Sequence, residues 1–285
     1  MMAVQARAQA PGSDAASTPA ARTVKFPDGT TVPALGQGSW HLAQRRHPLP
    51  VEEEAMRTGI ALGMTLIDTA ENYGDGRTES MIGRVIAGQR DSVFLVSKVE
   101  EDAVFKNEIA ARCEKSLRRL GTDYLDLYLL HTPVQGRYLS MYLSRAVASF
   151  EKLRAAGKIR AWGVSNFNVD QMEALFRVPD GNRCATNEVS YSLIDRRNEL
   201  DVLPWCAQHN MPVMAYSPLG GIDHNLVGDP RLAQIASMHG CSPAAVALGW
   251  DIRSGNVIAI PESGNPEHVK ENAVALSIGW IPASL

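Results

Sequence analysis

The chain has 285 residues, of which 45% are hydrophobic and 21% charged, and this composition excludes a globally disordered polymer. Its 31 acidic and 28 basic side chains leave a net charge of −3, which excludes a broadly basic nucleic-acid binder. No apolar run is long enough to span a membrane, and Cys113, Cys184, Cys206 and Cys241 form no C-x-x-C pair, so the chain reads as a cytoplasmic protein with reduced thiols.

Residues 1–22 are rich in Ala, Ser, Pro and Gln and show no periodic apolar face, so they read as a disordered leader. They lack the apolar segment of a secretory signal. Folded chain is expected over 23–285. TVKF (23–26) and TTVPAL (30–35) flank Pro27-Asp28-Gly29, a hairpin pattern. Eight β-prone runs follow: 34–40, 63–70, 92–99, 124–131, 159–166, 185–190, 212–218 and 256–261. Amphipathic stretches at 51–63, 80–88, 107–121, 144–157, 170–178 and 199–210 separate them, several closing at Gly or Asn. Residues 219–255 hold a loop and two further helices before the eighth run.

Strand runs with little polar alternation are buried on both faces, as in parallel sheets. Eight of them, each followed by helix, give an α/β fold of the (β/α)8 TIM-barrel type with an N-terminal β-hairpin. The rival is an open doubly wound sheet. It would carry a glycine-rich phosphate loop after its first strand, and Gly36-Gln37-Gly38 continues as Ser39-Trp40-His41 instead.

In a barrel, chemistry sits at the carboxyl ends of the strands. The second run leads into Asp68, the third into Lys98 and the fourth into His131, while Tyr73 follows Asp68 in the loop ENYGDG. Neighbouring strands lie about 4.8 Å apart, so one rim collects a carboxylate, an ammonium, an imidazole and a phenol. A charged Lys98 held by Asp68 would lower the phenol's pKa, and His131 would orient a carbonyl. Such a pocket polarises a C=O and delivers a proton to oxygen. No side chain supplies hydride, which points to a nicotinamide cofactor. Ser165, Asn166 and Glu188 end later strands with groups suited to a carboxamide, and Tyr216 offers a ring to stack on it. Read singly, each residue has a plainer role: a structural ion pair, a surface tyrosine, a core histidine.

LIDTAENYGDG, FLVSKV, YLDLYLLHTP, GKIRAWGVSNFN, MAYSPLG and IPESGNPEHVKEN, in this order, resemble the aldo-keto reductase superfamily over roughly residues 23–276. GQGSW, LPWC and NEVSY resemble its bacterial members of the methylglyoxal-reducing type. The resemblance implies a (β/α)8 barrel that reduces aldehydes or ketones, or runs in reverse. It places the catalytic tetrad on Asp68, Tyr73, Lys98 and His131, with Tyr73 as general acid and base. It places cofactor contacts on Ser165, Asn166, Glu188, Tyr216, Ser217, Leu219, Glu262, Ser263, His268, Glu271 and Asn272, and the substrate pocket at Trp40 and Thr132. It implies a monomer; the sequence itself shows no H-E-x-x-H or clustered metal-ligand spacing, so no metal is expected, nor a nucleic-acid or membrane partner.

Four departures from the family pattern shape these expectations. Glu188 stands where the family has Gln, and an ionised carboxylate cannot donate to a carboxamide. Glu262 and His268 stand where Lys and Arg commonly hold the adenosine 2′-phosphate. A carboxylate repels phosphate but accepts from ribose hydroxyls, so NADP(H) is favoured only narrowly over NAD(H). Thr132 replaces an aromatic residue, which implies a more open pocket. The chain closes on IPASL (281–285), a shorter tail than the family's, which would expose the substrate side and broaden specificity.

Two other classes fit the barrel. One is a non-catalytic cofactor-binding sensor or subunit, which would bind nucleotide without turnover. The other is a Schiff-base lyase built on Lys98, against which Asp68 argues by keeping that lysine charged.

Overall fold

The computed structural model describes residues 22–134, 136, 138–221, 224 and 226–278. Most of the leader and all of IPASL lie outside the described residues. Arg22, counted with the leader by composition, is fixed against the fold, donating to the carbonyl oxygens of Ile278 at 2.7 Å and Gly249 at 3.5 Å.

The hairpin pairs β1 (Thr23–Lys25) with β2 (Thr31–Pro33), Val24 opposite Val32. Asp28 accepts from the Thr30 amide at 2.9 Å, and Gly29 takes the positive φ of 93° that the turn needs. Seven parallel strands follow in chain order: β3 (Leu66–Asp68), β4 (Phe94–Val99), β5 (Leu125–Leu130), β6 (Ile159–Ser165), β7 (Asn187–Ser190), β8 (Val213–Tyr216) and β9 (Val257–Ala259). As the apolar runs require, all six residues of β5 are buried.

The first expected strand, 34–40, is not a regular strand. It makes single parallel bridges, Leu35 to Ala259 and Gly38 to Glu262 on one side and Gln37 to Ile67 on the other. The Gly36 amide donates to Ala259 O and the Gln37 amide to Leu66 O, both at 2.8 Å, so this segment closes the barrel between β9 and β3. Its glycines permit the approach. A Cβ on Gly36 would stand 2.7 Å from Leu66 Cδ2, and one on Gly38 2.7 Å from Ile260 O.

Helices wrap the sheet: α1 (Leu49–Ala61), α2 (Arg77–Ile86), α3 (Asp102–Lys106), α4 (Ile109–Leu120), α5 (Leu139–Ala155), α6 (Val169–Phe176), α7 (Val202–Gln208), α8 (Pro230–His239), α9 (Pro243–Asp251) and α10 (Pro266–Ala273). Capping residues set several boundaries. Asn168 and Gln171 form a reciprocal capping box on α6, and Gly121 ends α4 in the left-handed region at φ 64°. Short α3, closed by left-handed Asn107, has no counterpart in the sequence reading, because five residues carry no helical periodicity. Among the described residues no helix is long and apolar enough to cross a membrane.

Alternation along the strands sorts the core into two layers. Leu66, Val96, Leu127, Leu129, Met214 and Ile258 share one cluster with hairpin residues Val24, Phe26 and Val32, which plug one end of the barrel. Ile67, Leu95, Tyr128 and Leu130 point the other way and pack with Phe150 of α5 and Trp162 of β6. Asp68, Lys98 and His131 keep the inward parity of Leu66, Val96 and Leu129. They therefore enter the barrel at the end opposite the hairpin.

Candidate active site

Lys98 is fully buried, and its Nζ donates to both oxygens of Asp68, each at 2.7 Å. It also reaches Thr69 O at 3.2 Å, Tyr73 OH at 3.4 Å and Glu188 Oε1 at 3.4 Å. Tyr73 follows the buried residues Thr69 and Ala70 and the turn at Glu71–Asn72, and its ring meets His131 edge-on with centroids 5.9 Å apart. Thus the four residues expected at the rim occupy one site.

The second group joins the same network. Ser165 Oγ donates to Glu188 O at 3.0 Å, and Asn166 Nδ2 donates to Ser165 Oγ at 3.0 Å and His131 O at 3.3 Å. Tyr216 OH donates to Asn166 Oδ1 at 2.9 Å, which fixes its ring at the mouth. Asn166 holds a left-handed φ of 64° directly after β6, as does Ser217 at 51° after β8.

Burial and charge set the protonation. Burial pulls the Lys98 ammonium down, but Asp68, Glu188 and Tyr73 outweigh it and hold the group well above its ordinary value. Burial pushes Asp68 up, with Lys98 pulling it back through two contacts. The Tyr73 phenol differs from expectation. Lys98 does pull it down, but burial first, and the carboxylates of Asp68 and Glu188 after it, leave the phenol above its usual value. A neutral phenol is the form that can donate a proton.

Glu188 answers the question raised by its place in the sequence. Burial first, then the Asp68 charge, push it up to about 8, and its Oε2 is buried without a partner. A protonated carboxyl both donates and accepts, as an amide side chain does. Glu188 is the register partner of Ser165, so its orphaned oxygen and the Ser165–Asn166 groups together offer donors and acceptors of the kind a carboxamide takes. An unfolded glutamate titrates near about 4.3, so the folded state retains a proton that the unfolded state loses. Stability is then full below that value and falls as pH rises toward 8. Glu188→Gln is expected to flatten the decline of the melting temperature over about pH 5 to 9, an outcome that an unchanged slope would refute.

Glu100 was not singled out by sequence. Its Oε1 accepts from His131 Nδ1 at 2.6 Å and from Asn72 Nδ2 at 2.7 Å, tying the histidine to the loop that carries Tyr73. The His131 contact holds the Glu100 carboxyl below its usual range. A charged residue just past the Lys98 strand was the available signal.

The model of the Aldo/keto reductase family matches residues 34–283. The chain is 45% identical to the methylglyoxal reductase YeaE of Escherichia coli, over 93% of this chain and 92% of that one. It is 34% identical to the glyoxal reductase of Bacillus subtilis, over 88% and 86%. An aldo/keto reductase from Klebsiella pneumoniae, solved with NADP and acetate, superposes with a TM-score of 0.86 at 45% identity, covering 92% of both chains.

The chain belongs to the aldo/keto reductase family. It is an oxidoreductase that reduces carbonyl compounds with a nicotinamide cofactor. The reading as a non-catalytic subunit is not favoured, because these relatives are named as reductases.

The remaining expected residues of this reductase follow β5, β8, β9 and the 34–38 segment or lie on α10. Glu262 is not directed at open solvent: one oxygen accepts from the His41 amide at 2.7 Å and the other meets His41 Nδ1 at 3.1 Å. Ser263 Oγ accepts from the Asn265 amide at 3.1 Å, and Asn265 caps α10 by accepting from Glu267 N at 2.9 Å. His268 and Glu271 are exposed on α10, and Asn272 is buried there. Lys270 is engaged by Glu267 at 2.7 Å. Leu219 is half-buried between two apolar clusters. Trp40 is 54% exposed and lies over His41, with centroids 4.3 Å apart, and Thr132 is exposed beyond His131.

Proposed function

We propose that this reductase acts as a monomer on small aldehydes and 2-oxoaldehydes, methylglyoxal among them, with NADPH as the preferred cofactor. The observation that carries the reading is Lys98 bridging the Asp68 carboxylate and the Tyr73 hydroxyl inside the barrel mouth. Asn166, Ser165 and Glu188 would hold the carboxamide, Tyr216 would cover the ring, and Ser217, Leu219, Ser263, His268, Glu271 and Asn272 would line the path of the rest. When bound, the nicotinamide supplies the hydride that no side chain can.

Tyr73 OH gives its proton to the carbonyl oxygen as negative charge builds there, and Lys98 steadies the phenolate left behind. Asp68 keeps Lys98 charged and in place. His131 orients the carbonyl. Its Nδ1 is held by Glu100, which leaves Nε2 to face the carbonyl. Exposed Trp40 and Thr132 leave room for varied small carbonyls.

NADPH is preferred because the Glu262 charge is turned onto His41 and so does not stand against a 2′-phosphate. Steady-state reduction of methylglyoxal with each cofactor tests this. A higher kcat/KM with NADPH is expected, and turnover with NADH alone would overturn the preference.

A further inference from the structure

Outside the catalytic network lies a cavity of about 760 Å³ between the 43–49 loop, α2 and Arg119 of α4. That volume suits a small organic ligand. Arg45, Arg46, His47, Arg77, Arg84 and Arg119 line it, although the whole chain is net acidic. Most carboxylates nearby are already engaged. Fully buried Glu52 accepts from the Ala43 amide at 2.7 Å and the His47 amide at 3.3 Å, so its charge holds the loop in shape. Arg84 is matched by Glu53 at 2.8 Å and Arg119 by Glu79 at 2.9 Å. Among the described residues Arg77 meets only the exposed Asp75, at 3.9 Å, and Arg45 and Arg46 have no ion-pair or side-chain hydrogen-bond partner. The first turn of α2 opens onto the same space from Gly76, which gives it no side-chain cap.

We propose that this cavity binds a small dianion of the organic-phosphate class, held by the guanidiniums of Arg45, Arg46 and Arg77. Two unpaired guanidiniums match two negative charges, and planar forked donors suit phosphate oxygens. None of the expected cofactor residues lines the cavity, but Asp75 and Gly76 belong to the loop that carries Tyr73, and Arg77 opens α2 directly after it. Its occupant therefore bears on the position of the catalytic phenol.

The probe is inorganic pyrophosphate, titrated calorimetrically into protein saturated with NADPH, whose own phosphates block the cofactor path. One-site binding is expected, weakened about tenfold or more in the double variant Arg45→Ala/Arg46→Ala, since two charge-assisted donors are removed. Pyrophosphate should change methylglyoxal turnover in the native protein and not in the variant. The variant's ratio of NADPH to NADH affinity should be unaltered, which also separates this site from the proposed cofactor preference. Absence of binding overturns the proposal, as does binding of equal strength in the variant. A lowered NADPH-to-NADH ratio in the variant would assign these arginines to the cofactor's phosphate and likewise overturn it.

Discussion

Tyr73→Phe is expected to lower kcat for carbonyl reduction by about 10²–10⁴-fold, the usual contribution of a general acid, while leaving the NADPH dissociation constant nearly unchanged. The hydroxyl is the only polar atom removed, and the ring keeps its edge contact with His131. Lys98 loses its 3.4 Å partner but retains both Asp68 oxygens, so the ion pair and the fold survive. Fluorescence titration of NADPH separates the two effects. Activity close to native in the variant would mean that another group delivers the proton. Loss of cofactor binding in step with activity would make Tyr73 a binding residue. Because burial holds the phenol above its ordinary value, the native enzyme should show no loss of activity attributable to Tyr73 ionisation across the neutral range.

Much of this site is legible in sequence because strand parity is legible. A run such as FLVSKV has one physical meaning for Lys98 in a barrel: it points inward with Val96, at the end where the chain leaves the strand. The same logic places Asp68 and His131. The closing segment at 34–38 was harder. Its glycines favour close approach over a regular ladder, so it pairs through single bridges where a full strand was expected. Glu100 was hidden for a different reason. A glutamate after a strand reads as solvated, and only the fold brings His131 and Asn72 onto its one oxygen. Glu262 shows the same limit. Its charge implies repulsion of a 2′-phosphate, but the sequence does not say that His41, on a distant loop, takes both oxygens. Nor does chain order reveal that Arg45, on the loop before α1, and Arg77, at the start of α2, face one cavity.

Lys98→Met should cost about 3–5 kcal/mol of stability, measured by urea unfolding, because removing one partner leaves an uncompensated buried charge. Asp68 and Glu188 would then face each other in the barrel with no cation between them, and both already sit above their ordinary values because of burial. A carboxyl whose folded pKa is raised stabilises the fold at low pH and loses that contribution as pH rises. The variant should therefore lose stability more steeply than the native protein between about pH 5 and 8. Adding Asp68→Asn removes the stranded charge, so the double variant should regain much of the loss while remaining inactive. That split distinguishes the two duties of the lysine. Its charge is needed by the fold only because Asp68 is there, whereas the reaction needs it beside Tyr73. A single variant as stable as the native protein would show that Asp68 takes up a proton without cost, and the account of a tightly held ion pair would fail.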